Sequence, residues 1–140
     1  MSEYPCWYIL DENNDPLPTW LTRTDPITGK TSINRAYNEW MYGEDGKSGN
    51  RVVCQTEVPI GSVSTVFLGL DHSFCKGAQP ILFETMIFTT EDDHPLDNWQ
   101  HRYCTMSEAS LGHAIAVMLA ESTITNEECE RLLSEIPTNA

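Results

Sequence analysis

Residues 58–90 read VPIGSVSTVFLGLDHSFCKGAQPILFETMIFTT, and the reading of this stretch decides the fold. It holds two apolar runs, 63–70 and 81–88, separated by a ten-residue link, 71–80, that contains Gly77 and Pro80. Both runs are rich in β-branched and aromatic residues, and both fall well short of the roughly 18 apolar residues of a membrane helix. They are read as neighbouring core strands of an antiparallel sheet, joined by a loop instead of a tight turn. Each run is apolar on two faces, so the sheet is expected to be covered on both sides. A helix would supply one cover, and the partner in a homodimer is the simplest source of the other.

Working outward, residues 51–58 alternate Val52, Cys54, Thr56 and Val58 with Arg51, Val53, Gln55 and Glu57, which predicts a strand with one mostly apolar face. Pro59-Ile60-Gly61 turns it into the next strand. On the other side, 99–104 forms a short fifth strand. Thr105-Met106-Ser107-Glu108 is a capping box that opens a helix to about residue 121. One stripe of that helix is small (Ala109, Gly112, His113, Ala116, Val117, Ala120) and permits close approach to a sheet. A bulkier stripe holds Leu111, Ile115, Met118 and Leu119. A second box, Thr125-Asn126-Glu127-Glu128, opens a last helix to about 135, which Pro137 stops.

The first third is less regular. Residues 6–10 (CWYIL) predict a strand ended by the turn DENNDP, and 17–29 read as irregular chain around Pro18 and Pro26. Ser32 caps a helix over 32–42, with Ile33, Ala36, Tyr37, Trp40 and Met41 on one face. The expected class is therefore α+β. A four- or five-stranded, mostly antiparallel sheet is packed by a long C-terminal helix, with an additional helix in the first third and a short terminal helix. One domain, 1–140, accommodates this, with 22–50 as an insertion and 123–140 as an extra helix.

The formal charge is −13, and it is uneven: residues 84–140 hold eleven carboxylates against Arg102 and Arg131. Direct nucleic-acid binding and anionic membranes are disfavoured, because both reward cations. The start of the chain lacks the basic and apolar pattern of a secretory signal, and five scattered cysteines without a C-x-x-C pair read as reduced thiols. Both point to a cytoplasm. The acidic groups expected to meet a basic partner surface are Glu91, Asp92, Asp93 and Asp97 in the loop 91–98 and Glu127, Glu128 and Glu130 on the last helix. Trp99 stands beside that loop as an aromatic anchor.

Three other constellations carry chemistry. Glu84 interrupts an apolar strand, where an unpaired carboxylate is costly, and Arg102, His72 and His113 are its candidate partners. With His72 and His113 it would form an acid/base cluster; as structure it would be the satisfied polar core of a sheet–helix interface. His72 with Cys75, and His101 with Cys104, are two H-x-x-C units whose four side chains match a tetrahedral zinc site. Arg102, His72 and Trp20 would serve a nucleotide. Gly29-Lys30-Thr31 and Gly46-Lys47-Ser48 lack the leading glycine of a P-loop. No resident cofactor is called for.

The blocks VSTVFLGLDHSF (63–74), LFETMIF (82–88) and RYCTMSEASLGHA (102–114), preceded by YILD (8–11) and TEV (56–58), resemble a family of small phage and prophage proteins of uncharacterised activity. Cys75, Lys76 and Cys104 depart from its pattern, and 22–50 and 123–140 are additions to it. The resemblance implies phage origin, hence a host cytoplasm, and no activity. Together with the charge it leads to an acidic, non-catalytic accessory protein that binds and inhibits a host protein. Nucleic-acid-handling or antiviral defence machinery, such as a CRISPR effector, is the expected target class. A module sequestering a nucleotide immune signal and a small metal-dependent or acid/base hydrolase are the alternatives.

Overall fold

The computed structural model describes residues 8–10, 13, 15–18, 23–24, 27, 31–32, 51–70 and 79–137. The chain divides into two compact units, Met1–Arg51 with Leu68–Leu82, and Val52–Phe67 with Phe83–Ala140. In the first unit, β1 (Tyr8–Leu10) pairs antiparallel with β2 (Pro16–Pro18), and β3 (Arg23–Thr24) with β4 (Thr31–Ser32). Residues 8–10 of the expected first strand are β1, while 6 and 7 lie outside the described residues, and chain read as irregular contributes short strands. Pro16 and Pro18 stand two apart, so their missing N–H groups fall on one edge of β2 and Leu17 between them keeps its donor. Ser32, the expected helix cap, lies in β4; the rest of the predicted helix 32–42 lies outside the described residues.

The second unit is α+β. Strands β5 (Val52–Val58), β6 (Gly61–Phe67), β7 (Phe83–Thr89) and β8 (Gln100–Tyr103) form one antiparallel sheet in that order. Pro59 and Ile60 are the two-residue link between paired Val58 and Gly61. Gly61 is required there, because a Cβ would run into the Phe88 carbonyl on β7 and its φ is 154°. Between β6 and β7 the chain makes the expected long excursion.

Helix α1 (Met106–Ala120) and helix α2 (Asn126–Ser134) follow, each opened by its predicted capping box. Thr105 and Glu108, and Thr125 and Glu128, exchange reciprocal side chain–backbone hydrogen bonds of 2.9–3.1 Å. At the end of α1, Ser122 takes the left-handed conformation at φ 61°, its N–H reaches Leu119 O, and Thr123 N–H reaches Met118 O. These two bonds satisfy the last carbonyls and turn the chain into α2.

Alternation sorts the sheet into two faces. Val63, Thr65, Phe67, Phe83, Thr85, Ile87 and Tyr103 are buried on the face that carries α1. Val63 and Ile87 cluster there with Ile115, Ala116, Leu119 and Ala120 of α1 and Cys129 of α2. The opposite face is mixed. Ser62, Ser64, Val66 and Met86 are half-buried and Phe88 is 45% exposed.

Two expectations about this sheet are corrected. β6 is not apolar on both faces, because Ser62 and Ser64 alternate with its buried positions, whereas β7 does carry Met86 and Phe88 on the opposite face. A register shift between Val52 and Cys54 breaks the predicted alternation of β5. Cys54 pairs with Thr65 on the helix face, while Val52 pairs with Val66 on the other and is 42% exposed.

Candidate functional site

The described part of the molecule holds a buried polar network, an ion pair and a groove between the loop 91–98 and the last helix. The network is built where β5, β6, β7 and α1 meet. Thr65 and Thr85 are directly paired across β6 and β7, both fully buried, and their hydroxyls lie 2.6 Å apart. The Thr65 hydroxyl is also 2.7 Å from His113 Nδ1, and the Thr56 hydroxyl is 2.9 Å from His113 Nε2. Both ring nitrogens are thereby used: a neutral imidazole donates from one and accepts at the other. Burial holds the His113 pKa below the ordinary histidine value.

His113 therefore behaves as a hydrogen-bonded core histidine, and Glu84 is not its neighbour. Glu84 and Thr85 are consecutive in β7, so their side chains leave the sheet on opposite faces. Glu84 Oε2 accepts a 2.8 Å hydrogen bond from Arg102 Nε, its partner in register on β8. Of the three candidate partners of Glu84, Arg102 is paired with it, but the pair lies away from the sheet–helix interface in which Glu84 was expected. His72, the third member of the acid/base cluster, lies outside the described residues.

The two H-x-x-C units meet a similar division. His101 is half-buried on the helix face of β8, and Cys104 follows the strand, while His72 and Cys75 lie outside the described residues. Among the described residues no three His, Cys, Asp or Glu side chains group to hold a metal ion. Burial lowers the pKa of His101 too, and its ring sits between Trp99 (centroids 6.4 Å, stacked) and Tyr103 (5.0 Å, edge-on). Of the nucleotide set, Arg102 is engaged by Glu84, and His72 and Trp20 lie outside the described residues.

Tyr103 marks the inner end of this aromatic ladder. Its ring lies against Gly112 of α1, and its buried hydroxyl has no hydrogen-bond partner. Burial pushes the phenol up to about 12; a weak side-chain interaction with Thr85, whose hydroxyl is committed to Thr65 and does not meet hydrogen-bond geometry here, offsets this in part, and the Cys129 thiol adds to it. An unpaired buried hydroxyl costs about 1–3 kcal/mol. Tyr103→Phe should therefore raise the unfolding free energy at pH 8 by about 1 kcal/mol, read by urea denaturation. The phenol keeps its proton longer in the folded state, so wild-type stability is complete below pH 10 and declines as pH rises from 10 to about 12. Tyr103→Phe should lack that part of the alkaline decline.

The acidic loop is a well-bonded turn sequence. Asp97 Oδ1 accepts from the Thr89 N–H (3.0 Å), His94 Nδ1 accepts from the Leu96 N–H (3.0 Å), and Asn98 takes φ 64°. Ile87 N–H to Trp99 O, and Asn98 N–H to Ile87 O, then extend the pairing of β7 with the chain entering β8. These bonds bring Pro95, Leu96 and Trp99 beside α2. A groove of about 240 Å³ separates them from Leu119, Asn126, Cys129 and Glu130.

The loop and the last helix that carry the two acidic clusters both line this depression, through Pro95 and Leu96 on one side and Asn126 and Glu130 on the other. Among the described residues Glu130 is its one lining carboxylate. Glu91, Asp92 and Asp93 stand exposed on the loop, and Glu127 and Glu130 on the helix. Asp97 and Glu128 have local duties instead, the first in the loop turn and the second in the cap. Of the remaining sequence candidates, Trp99 is half-buried in the groove wall. Thr56, Thr65, Thr85 and Tyr103 were not singled out as functional; a mid-strand threonine with apolar residues two places to either side was the available signal for the first three. No helix among the described residues is long and apolar enough to cross a membrane. Comparison with family models, curated proteins and solved structures finds no match.

Proposed function

We propose that this protein is a non-catalytic binder that sets its acidic face against a basic surface of another protein. Its setting, on the resemblance of its sequence blocks, is a phage acting on a bacterial host, and its target belongs to nucleic-acid-handling or antiviral defence machinery. Such targets carry basic surfaces to hold phosphates, and a carboxylate-rich protein competes for the same cations. One observation carries the reading: two acidic segments, separated by about thirty residues of chain, border a single groove with an aromatic wall. Charge at the rim steers encounter, while a desolvated aromatic centre supplies affinity.

The carboxylates free for this role are Glu91, Asp92, Asp93, Glu127 and Glu130; Asp97 and Glu128 are excluded as variants because they hold the loop and the cap. Asp92→Lys, Asp93→Lys, Glu127→Lys and Glu130→Lys combined should weaken capture of the host target at least a hundredfold. Thermal unfolding should stay within a few degrees of wild type, because exposed side chains contribute little to stability. Pull-down from a bacterial lysate, followed by titration of the captured protein with both forms, reads this directly. Undiminished binding by the reversed protein would remove the proposal.

A further inference from the structure

We infer that the groove between the acidic loop and α2 receives one apolar side chain from a lysine- or arginine-rich segment of the partner. The inference rests on the acidic-face reading above and names what that face recognises. Size is the first argument. At about 240 Å³ the groove lies below the roughly 300–1,000 Å³ of sites that enclose a small molecule, but it suits a single leucine-sized group. Its lining is the second. Leu96, Trp99 and Leu119 give apolar contact, and the Cys129 thiol sits among them, 1% exposed and with its pKa raised by burial. A thiol so held packs as a small hydrophobe.

The rim argues for the charge of the occupant. Glu130 forms part of the lining, Glu127 follows the lining Asn126 on α2, and the loop that supplies Pro95 and Leu96 carries the exposed carboxylates Glu91, Asp92 and Asp93. Arg131, at the far end of α2, is the one cation of that helix. A second copy of this chain would bring a net charge of −13 against the same rim, so self-association through the groove is opposed. A segment with cations on either side of one apolar anchor satisfies both parts at once. Trp99 also has support behind it, since His101 stacks on it and Tyr103 meets His101 edge-on along β8. A wall supported in this way loses little freedom when it is contacted.

The probes are two short lysine-rich peptides that differ only at the centre, one with leucine and one with serine. They are titrated into the full-length protein labelled with 5-fluorotryptophan, with the Trp99 fluorine resonance assigned through Trp99→Phe. The leucine peptide should bind about tenfold tighter, as expected for burying one such side chain, and should shift the Trp99 resonance. Asn126→Phe adds bulk at an exposed rim position without touching the core, and it should erase the leucine advantage while keeping the salt-dependent binding of both peptides. Equal binding of the two peptides would overturn the groove inference and leave the acidic-face reading standing. A leucine preference that survives Asn126→Phe would overturn it as well. Binding of neither peptide would overturn both.

Discussion

Gly112→Ala should destabilise the protein by about 3 kcal/mol, roughly a 10 °C fall in melting temperature for a chain of this size. At an open helical position the same change stabilises by about 1 kcal/mol, because alanine is the better helix former. The sign therefore reports the contact. A Cβ on Gly112 would overlap the ring and hydroxyl of Tyr103, a side chain only 4% exposed and flanked by His101 and Thr85. The ring can yield only by moving α1 off β8 or by displacing neighbours that are already buried.

A double-mutant cycle makes the attribution sharp. In a Tyr103→Ala background the void left by the ring accepts the new methyl, so the cost of Gly112→Ala should shrink to near zero or change sign. If the cost were unchanged there, the damage would come from somewhere other than Tyr103. Urea denaturation of the four proteins measures both results.

The contact between Gly112 and Tyr103 also shows where the sequence becomes illegible. Local grammar reads well: both capping boxes are four-residue patterns whose donors and acceptors lie within one turn, and α1 and α2 begin one residue after each box opens. The meander of β5 to β8 follows from apolar runs punctuated by turns. What fails is whatever depends on register. The irregularity at Val52–Cys54 moves Val52 to the other face, and nothing in Arg51-Val52-Val53-Cys54 announces it.

Glu84 is the instructive middle case. The cost of burying a carboxylate identified it and put Arg102 among its partners, but the face it occupies separates it from His113. Thr65 and Thr85 have the opposite history. They are unremarkable in sequence, yet cross-strand pairing sets their hydroxyls together under His113. The acidic bias of residues 84–140 was legible as composition. That the acidic loop shares a groove with α2 depends on turns at His94, Asp97 and Asn98, which no local pattern places there.

That threonine–histidine network carries the other large effect. His113→Ala should cost about 3 kcal/mol: it removes two buried hydrogen bonds, leaves the Thr56 and Thr65 hydroxyls short of partners, and opens a cavity under α1. It should also change how stability depends on pH. Burial holds the folded-state His113 pKa below 6.5, so the unfolded chain takes up its proton first as the solution is acidified. The stabilisation from His113 is complete above about pH 6.5 and is lost as pH falls from there toward the lowered folded-state value. Wild-type unfolding free energy should accordingly drop between pH 7.5 and pH 5, and the drop should be shallower in His113→Ala. His101, shifted in the same direction and for the same reason, remains in both proteins, so some slope persists in the variant. Urea denaturation at a series of pH values separates the two contributions. A variant whose slope matched wild type would mean that His113 does not gain its proton preferentially on unfolding. The network would then have to accommodate the charged ring, which both threonine hydroxyls could do only by turning their lone pairs toward it.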